Sequence, residues 1–269
     1  MKTKILTLVL LSFIPVGLFG QTKETDPDYL LRLHGPWKTY ESKNFKFYYR
    51  ENPQIAKNLT DSDLVSIANS QQLNLYRIGD ILSIPHNRLD TLRKINVWLF
   101  KDLKEKTDIT KISADAFAIP PFWSFYYTYE VAKAAHELGH LVIDEYWGYF
   151  KSKKYNFVIE EGYASLVDEG HGNRDSDYFK KSKKITKRKK YSMTNIINNV
   201  NVPSVFKNPY TQKAIVAGGF VKYLIKEYGI DEFKTLWLTL NDDGEAFESV
   251  YNKSINELAA DYMDFLSKY

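Results

Sequence analysis

The sequence predicts an α+β fold in which a mixed β-sheet with one helix precedes a mainly helical second half. Short alternating, aromatic-rich segments are confined to the first half, whereas apolar residues at helical spacing dominate from Tyr127 onward. The composition is that of a globular chain, because 44% of the 269 residues are hydrophobic and 26% are charged. We expect one domain over residues 21–269, with a sheet-rich part at about 37–126 and a helical part at about 127–269.

The N-terminal segment, residues 1–20, has the parts of a secretory signal peptide. Lys2 and Lys4 give a positive start, and the apolar run that follows ends before the small residue Gly20. Pro15 interrupts this run, which is shorter than the about 20 apolar residues of a transmembrane helix. We therefore expect cleavage after Gly20, no stable membrane anchor, and export to the periplasm or the extracellular space.

Charge and cysteine content exclude several classes of function. The net charge of +4 is too small to indicate nucleic-acid binding. One local exception is "KKSKKITKRKK", residues 180–190, with eight basic residues in eleven. Such a run is typical of a solvated surface, and the alternative is a contact for an anionic partner or an acidic substrate. The chain has no cysteine, which excludes disulfides, thiol catalysis and zinc–thiolate sites.

Three strands and one helix are predicted in the first half. "NFKFYYR" (44–50) and "KINVWLF" (94–100) are aromatic or apolar, as strands are. Between them lies a predicted helix, with Asp61 or Ser62 as its N-cap. Its apolar residues at helical spacing are Leu64, Ile67, Leu73, Tyr76 and Ile78. "ADAFAIP" (114–120) is the third predicted strand and ends at a pair of prolines.

Five helices are predicted in the second half. They extend over residues 128–147, 160–168, 209–228, 230–240 and 254–268. Helical periodicity and the absence of internal proline support the first of them. The third ends at Gly229, a residue type that commonly follows a helix.

The first of these helices carries "HELGH", in which His136 and His140 lie four residues apart and Glu137 follows His136 directly. Residues four apart share one face of a helix, with about 5–6 Å between their Cβ atoms. Both imidazoles can therefore reach one ion, because Zn–N bonds are about 2.0–2.1 Å long. Glu137 lies about 100° further around the helix, off the metal but within reach of a water molecule beside it. The pattern thus supplies two zinc ligands and a general base.

A candidate third ligand follows in "NFVIEEGYASLVDEG", where Glu160 and Glu161 lead a short amphipathic helix. Twenty residues separate His140 from Glu161, which is enough for a turn and a returning helix. Three protein ligands with one open position are typical of catalytic zinc, whereas structural zinc has four. Asp168 lies on the same helical face as Glu161 and is either a group that orients a ligand histidine or a solvated carboxylate near a helix end.

"HELGH" followed by "VIEEGYASLVDE" resembles the gluzincin metallopeptidases, in particular the peptidase-MA-like proteins, which carry His-Glu-x-x-His and then Glu-Gly-x-Ala. The resemblance implies a zincin-like fold and one zinc ion bound by His136, His140 and Glu161. Glu160 stands where such enzymes often have Asn or Ser, so it remains the alternative third ligand. The resemblance covers roughly residues 43–229, and its specific parts are the two motifs.

Two further segments resemble parts of the same family. "ADAFAIPP" resembles the sheet edge on which an extended peptide lies by strand addition. "AGGFVKYLIKEYG" resembles the downstream helix, where enzymes of aminopeptidase type carry a Tyr that donates to the oxyanion. Ala214 occupies the matching position here, which leaves Tyr210, one turn earlier, as the candidate donor or as a packing residue. His171 is a second candidate donor or an exposed loop residue.

Together with the predicted signal peptide, the resemblance implies an exported zinc metallopeptidase that hydrolyses peptide bonds, with Glu137 as general base and a peptide or protein as substrate. The alternative is a non-catalytic secreted binding protein that retains the zinc site. The intact Glu137 favours the enzyme, and the missing Tyr at Ala214 favours the binding protein.

Overall fold

The computed structural model describes residues 23–50, 59–168, 178–188, 191–198 and 210–269, and of residues 23, 210 and 211 it describes the backbone alone. The predicted signal peptide, residues 1–20, and His171 lie outside the described residues. Within the described ranges, no helix is both long enough and apolar enough to cross a membrane.

A five-stranded mixed sheet occupies the first half of the described chain. Its strands are β1 (Lys38–Glu41), β2 (Phe45–Tyr49), β3 (Ile95–Phe100), β4 (Ala116–Ile119) and β5 (Ser124–Thr128). They lie in the order β1-β2-β3-β5-β4; β3 is parallel to both of its neighbours, and the two outer pairs are antiparallel. Among the described strands β4 pairs with β5 alone, so it forms one edge of the sheet.

Helices accompany the sheet and then make up the rest of the described chain. Those of the first half are α1 (Pro27–Leu33), α2 (Asp61–Ile81), α3 (His86–Leu89) and α4 (Leu103–Thr110). Those of the second half are α5 (His136–Trp147), α6 (Asn156–Val167), α7 (Tyr178–Thr186), α8 (Met193–Asn198), α9 (Tyr210–Tyr228), α10 (Ile230–Thr239), α11 (Glu245–Tyr251) and α12 (Ile255–Lys268). The predicted α+β class is therefore confirmed, with a mixed sheet first and mainly helices after it.

Both faces of the sheet are buried, because successive side chains of a strand point to opposite faces. On one face, Phe47, Val97 and Phe125 join the main core, to which α2, α5 and α6 also contribute. On the other face, Trp98 and Tyr126 stack with 6.2 Å between ring centres, in a smaller core that includes Ile109 of α4. Strand β5, which precedes the histidine helix, therefore packs against a hydrophobic core on each face of the sheet.

The three predicted strands of the first half are confirmed as β2, β3 and β4, and the predicted helix is confirmed as α2. The prediction of its N-cap is wrong, because the cap is Thr60 and neither Asp61 nor Ser62. The Thr60 hydroxyl accepts the N–H of Asp63 at 3.2 Å, and the Asp63 carboxylate accepts the N–H of Thr60 at 3.0 Å. This reciprocal pair fixes the start of the helix.

Of the five apolar residues predicted at helical spacing in α2, all except Leu73 lie in the core or pack against it, Tyr76 being half-buried. Leu64, Ile67 and Ile78 are buried, whereas Leu73 is 69% exposed. Each residue of a helix turns about 100°, so Leu73 lies about 200° around the helix from the fully buried Leu75.

The segment predicted as one helix over residues 128–147 contains three elements. Thr128 is the last residue of β5, a 3₁₀ turn follows at Tyr129–Val131, and α5 begins only at His136. The prediction missed β5, whose aromatic sequence "SFYYT" favours a strand when partner strands lie on both sides. The two histidines nevertheless lie on one helix, as predicted.

The remaining predicted helices are confirmed, with some ends shifted. The helix predicted at residues 160–168 begins a turn earlier, at Asn156, and ends at Val167. Gly229, at a φ of +107°, separates α9 from α10, as expected of a glycine after a helix. The other three confirmed helices are those predicted at 209–228, 230–240 and 254–268.

Helices α6 and α9 cross at glycines. A Cβ atom on Gly162 would lie 3.0 Å from the carbonyl oxygen of Ala217 and 3.0 Å from Cγ2 of Val221. A Cβ atom on Gly218 would lie 3.2 Å from the carbonyl oxygen of Gly162. Such distances are shorter than ordinary van der Waals contact, so the two helices approach this closely only because both positions lack a side chain. The crossing sets the position of α6, which carries Glu160 and Glu161.

Candidate metal centre

Helix α5 begins at a point that three other elements hold in place. The side-chain amide of Gln71 in α2 donates to the carbonyl oxygen of Ala134 at 3.0 Å, and the hydroxyl of Tyr127 in β5 donates to the same oxygen at 2.8 Å. The carboxylate of Asp168, directly after α6, accepts the N–H of Ala135 at 3.0 Å. These contacts fix where the histidine helix starts.

The structure brings His136, His140 and Glu161 together. One ligand atom from each lies within 4.8 Å of the other two, and all three residues are buried. Nε2 of His136 is 3.2 Å from one carboxylate oxygen of Glu161, and Nε2 of His140 is 3.7 Å from the other. Two imidazole nitrogens and a carboxylate facing one point could hold a metal ion.

Glu137 lies beside this group and is 2% exposed. Its Oε1 is buried and has no hydrogen-bond partner among the described residues. Burial raises the pKa of Glu137 above its ordinary value, and the charge of Glu161 adds to the shift. The charges of His136 and His140 act in the opposite direction. The Glu137 carboxylate is thus shielded from solvent and lies next to the predicted ligands.

The two neighbouring glutamates of α6 contact different atoms of His140. Glu161 faces Nε2, whereas Oε1 of Glu160 lies 3.5 Å from Nδ1. The side-chain amide of Asn156 donates a hydrogen bond to the other oxygen of Glu160. The arrangement favours Glu161 over Glu160 as the third ligand, because only Glu161 groups with both histidines.

The buried group carries an excess of acidic side chains. Burial alone would lower the pKa of His140, but the contact with Glu160 and the charges of Glu161, Glu160 and Glu137 raise it to about 10. Three buried carboxylates against two imidazoles give an excess of acidic groups, which protons or a cation can neutralise. A metal ion supplies positive charge by replacing protons on its ligands, so the donor set fits a cation.

Comparison of the chain with protein-family models, with curated proteins and with solved structures finds no match. The interpretation of this site therefore depends on its residues and their geometry. The decisive observation is that two histidines of one helix and a glutamate of another present ligand atoms to a common point.

The predicted oxyanion donor remains a prediction. Tyr210 is the first residue of α9, and its side chain lies outside the described part of the structure. Ala214, one turn further along α9, is buried. Helix α9 packs against α6, the helix that carries Glu161, at Ala217, Gly218 and Val221.

The other sequence features are not part of the ligand group. His86 forms a 2.8 Å contact with Asp80, and His34 follows the end of α1. Of the basic run, residues 180–188 are described; they form most of α7 and the turn after it. Exposed basic residues of this stretch are Lys180, Lys184, Lys187 and Arg188.

Sequence reasoning missed Lys106, a fully buried lysine of α4. Its Nζ donates a hydrogen bond to the carbonyl oxygen of Ala114 and lies 4.0 Å from the centre of the Phe117 ring. Burial lowers the pKa of Lys106 to about 7, although the charge of Glu137 opposes the shift. No sequence signal separates Lys106 from Lys104, which is exposed two residues earlier.

Proposed function

We propose that the protein is a zinc-dependent metallopeptidase with a zincin-like fold, exported by the segment 1–20, that hydrolyses peptide bonds. The observation that carries the proposal is the buried group of His136, His140 and Glu161, with Glu137 beside it on the histidine helix. The resemblance of "HELGH" and "VIEEGYASLVDE" to the gluzincins supports the same conclusion.

Zinc is the metal that this donor set favours. Imidazole nitrogen and carboxylate oxygen are ligands of zinc in hydrolases, although imidazole also suits copper, nickel and iron. Because His136, His140 and Glu161 would supply three ligands, a fourth position would remain for water or substrate. That number is typical of catalytic zinc and not of structural zinc.

Glu137 is the residue to which we assign proton transfer. When bound, zinc supplies Lewis acidity, which polarises a carbonyl oxygen and lowers the pKa of water towards about 7. Burial raises the pKa of Glu137, so its carboxylate is a stronger base than that of an exposed glutamate. Glu137 takes a proton from the water that attacks the peptide carbonyl, and returns it to the amine that leaves when the C–N bond breaks.

The peptide substrate is proposed to lie along β4. This strand forms an edge of the described sheet and packs against α5, so it lies next to the histidine helix, and all four of its residues are buried. Extended peptides commonly bind by adding a strand to such an edge. Tyr210, at the start of α9, stays the candidate donor to the oxyanion.

A second candidate function is a non-catalytic exported binding protein that retains the metal site. The observation that favours it is Ala214, a buried alanine at the position where aminopeptidase-type gluzincins carry their Tyr. An alanine side chain donates no hydrogen bond. Glu137 favours the enzyme, since a carboxylate beside the ligands has no use in a purely structural site.

Zinc content and cleavage of a peptide library, measured on the purified protein, test the proposal. The wild type should bind one zinc ion and cleave peptides, whereas Glu137→Gln should keep the zinc and lose at least about 100-fold in rate. Glu145→Gln changes an exposed glutamate of the same helix and should keep both properties. Zinc without cleavage would support the binding protein, and a wild type that binds no zinc would refute both.

A further inference from the structure

Two consecutive glutamates of α6 lie at opposite edges of the His140 ring. Oε1 of Glu161 is 3.7 Å from Nε2, and Oε1 of Glu160 is 3.5 Å from Nδ1. Consecutive residues of a helix point about 100° apart. This difference in direction allows two neighbouring side chains to reach the two nitrogens of one imidazole.

Glu160 is itself held in place. Asn156, four residues earlier and therefore one turn away, donates a hydrogen bond from its side-chain amide to Oε2 of Glu160. Glu160 is 6% exposed and His140 is 1% exposed, so little water competes for the contact. One oxygen of the carboxylate is thus occupied by Asn156, and the other faces the ring.

Glu160 faces Nδ1 of His140, the ring nitrogen that points away from the ligand group at Nε2. The ligand group consists of His136, His140 and Glu161, and it meets the imidazole of His140 at Nε2. A carboxylate at the other nitrogen of a metal-binding histidine fixes its tautomer and ring orientation and increases its basicity as a ligand. Glu160 has the charge, burial and anchoring for this role.

We propose that Glu160 is a positioning residue: its carboxylate accepts the Nδ1 proton of His140 and so keeps Nε2 available for the metal ion. The inference rests on the proposed function, since it assumes that His140 binds a metal. Asn156 acts one step further out, by keeping the carboxylate turned towards the ring. Glu160 and Glu161 therefore have different roles although they are neighbours with the same side chain.

Zinc dissociation constants, measured by competition with a chelator, test these roles. Glu160→Met should weaken zinc binding by about 10- to 100-fold, the usual effect of losing such a partner. Glu160→Gln should weaken it less, because glutamine keeps one acceptor oxygen but cannot serve both Asn156 and His140. Glu161→Met should weaken it most, because it removes a ligand.

The imidazole N–H resonance of His140 gives a second readout that does not depend on activity. In the zinc-loaded wild type, the Nδ1 proton should exchange slowly with solvent. Glu160→Met should make this exchange at least about 10-fold faster by removing the acceptor. A merely structural role for Glu160 would lower stability but leave the exchange of this proton unchanged.

The outcomes separate this inference from the proposed function. A wild type that binds zinc, together with a Glu160→Met variant of affinity within about twofold, would overturn the role of Glu160 alone. Zinc binding lost in Glu160→Met but kept in Glu161→Met would make Glu160 the ligand and also overturn it. A wild type without zinc affinity would overturn the proposed function, and this inference with it.

Discussion

The carboxylate of Asp168 accepts a hydrogen bond from the backbone N–H of Ala135, with 3.0 Å between Oδ1 and N. Ala135 is the N-cap of α5 and makes no side-chain cap of its own, and Asp168 directly follows α6, which ends at Val167. The residue that precedes the histidine helix is therefore hydrogen-bonded to the residue that follows the helix with Glu161. A carboxylate at this place is also favoured by the positive end of the helix dipole.

Replacing Asp168 should affect both stability and metal binding. We expect Asp168→Ala to lower the free energy of unfolding by about 1–3 kcal/mol, because the buried N–H of Ala135 loses its acceptor. The variant should also weaken zinc binding, because the hydrogen bond that links the start of α5 to the end of α6 is lost. Urea unfolding and chelator competition measure the two effects. Ser254→Ala removes the cap of α12, which carries no predicted ligand, and should lower stability alone. Equal zinc affinity in Asp168→Ala and Ser254→Ala would contradict the prediction that the Asp168 contact supports metal binding.

A methyl group at Gly162 should force α6 and α9 apart. Its Cβ would lie 3.0 Å from the Ala217 carbonyl oxygen and from Val221 Cγ2, so we expect Gly162→Ala to cost about 1–3 kcal/mol of stability. Adding Val221→Ala should recover part of the loss, because one of the two close contacts is removed. Unfolding free energies of the two single variants and the double variant measure this coupling. Additive effects would contradict the close approach.

The buried Lys106 should give stability a specific dependence on pH. Burial lowers the pKa of Lys106 from its ordinary value of 10.5 to about 7, so between these limits the unfolded chain holds a proton that the folded chain has lost. The free energy of unfolding of the wild type, relative to Lys106→Met, should therefore rise from pH 7 to pH 10.5, by at most about 1.4 kcal/mol per pH unit. Unfolding at several pH values measures it, and a constant difference would contradict the prediction.

Local signals predicted most of the elements. The N-cap of α2 was misplaced although its capping box of Thr60 and Asp63 is itself a local signal, whereas the missed strand β5 depends on pairing with other strands. Helix α12 follows a capping box between Ser254 and Glu257, which is readable in the sequence. The aromatic run of β5 became a strand because β3 and β4 pair with it on either side. Strand β4 directly precedes it, whereas β3 is distant in sequence. The predicted helix start at residue 128 was therefore eight residues too early, since α5 begins at His136.

In the candidate site, too, some features follow from local sequence spacing and others depend on tertiary packing. The face shared by His136 and His140 follows from helical spacing, and the structure adds that Glu161 meets both of them. The roles of the two neighbouring glutamates could not be separated by sequence, because the separation depends on how α6 crosses α5 and α9. Lys106 was missed since burial of a lysine depends on the packing around it and leaves no local pattern.

The central claim is that His136, His140 and Glu161 bind one zinc ion. Anomalous diffraction at the zinc edge, from crystals of the protein grown with saturating zinc, tests it most directly. We predict a single strong peak about 2.0–2.2 Å from Nε2 of both histidines and from the carboxylate of Glu161. A map with no peak between these three side chains, or with its peak at other residues, would contradict the account.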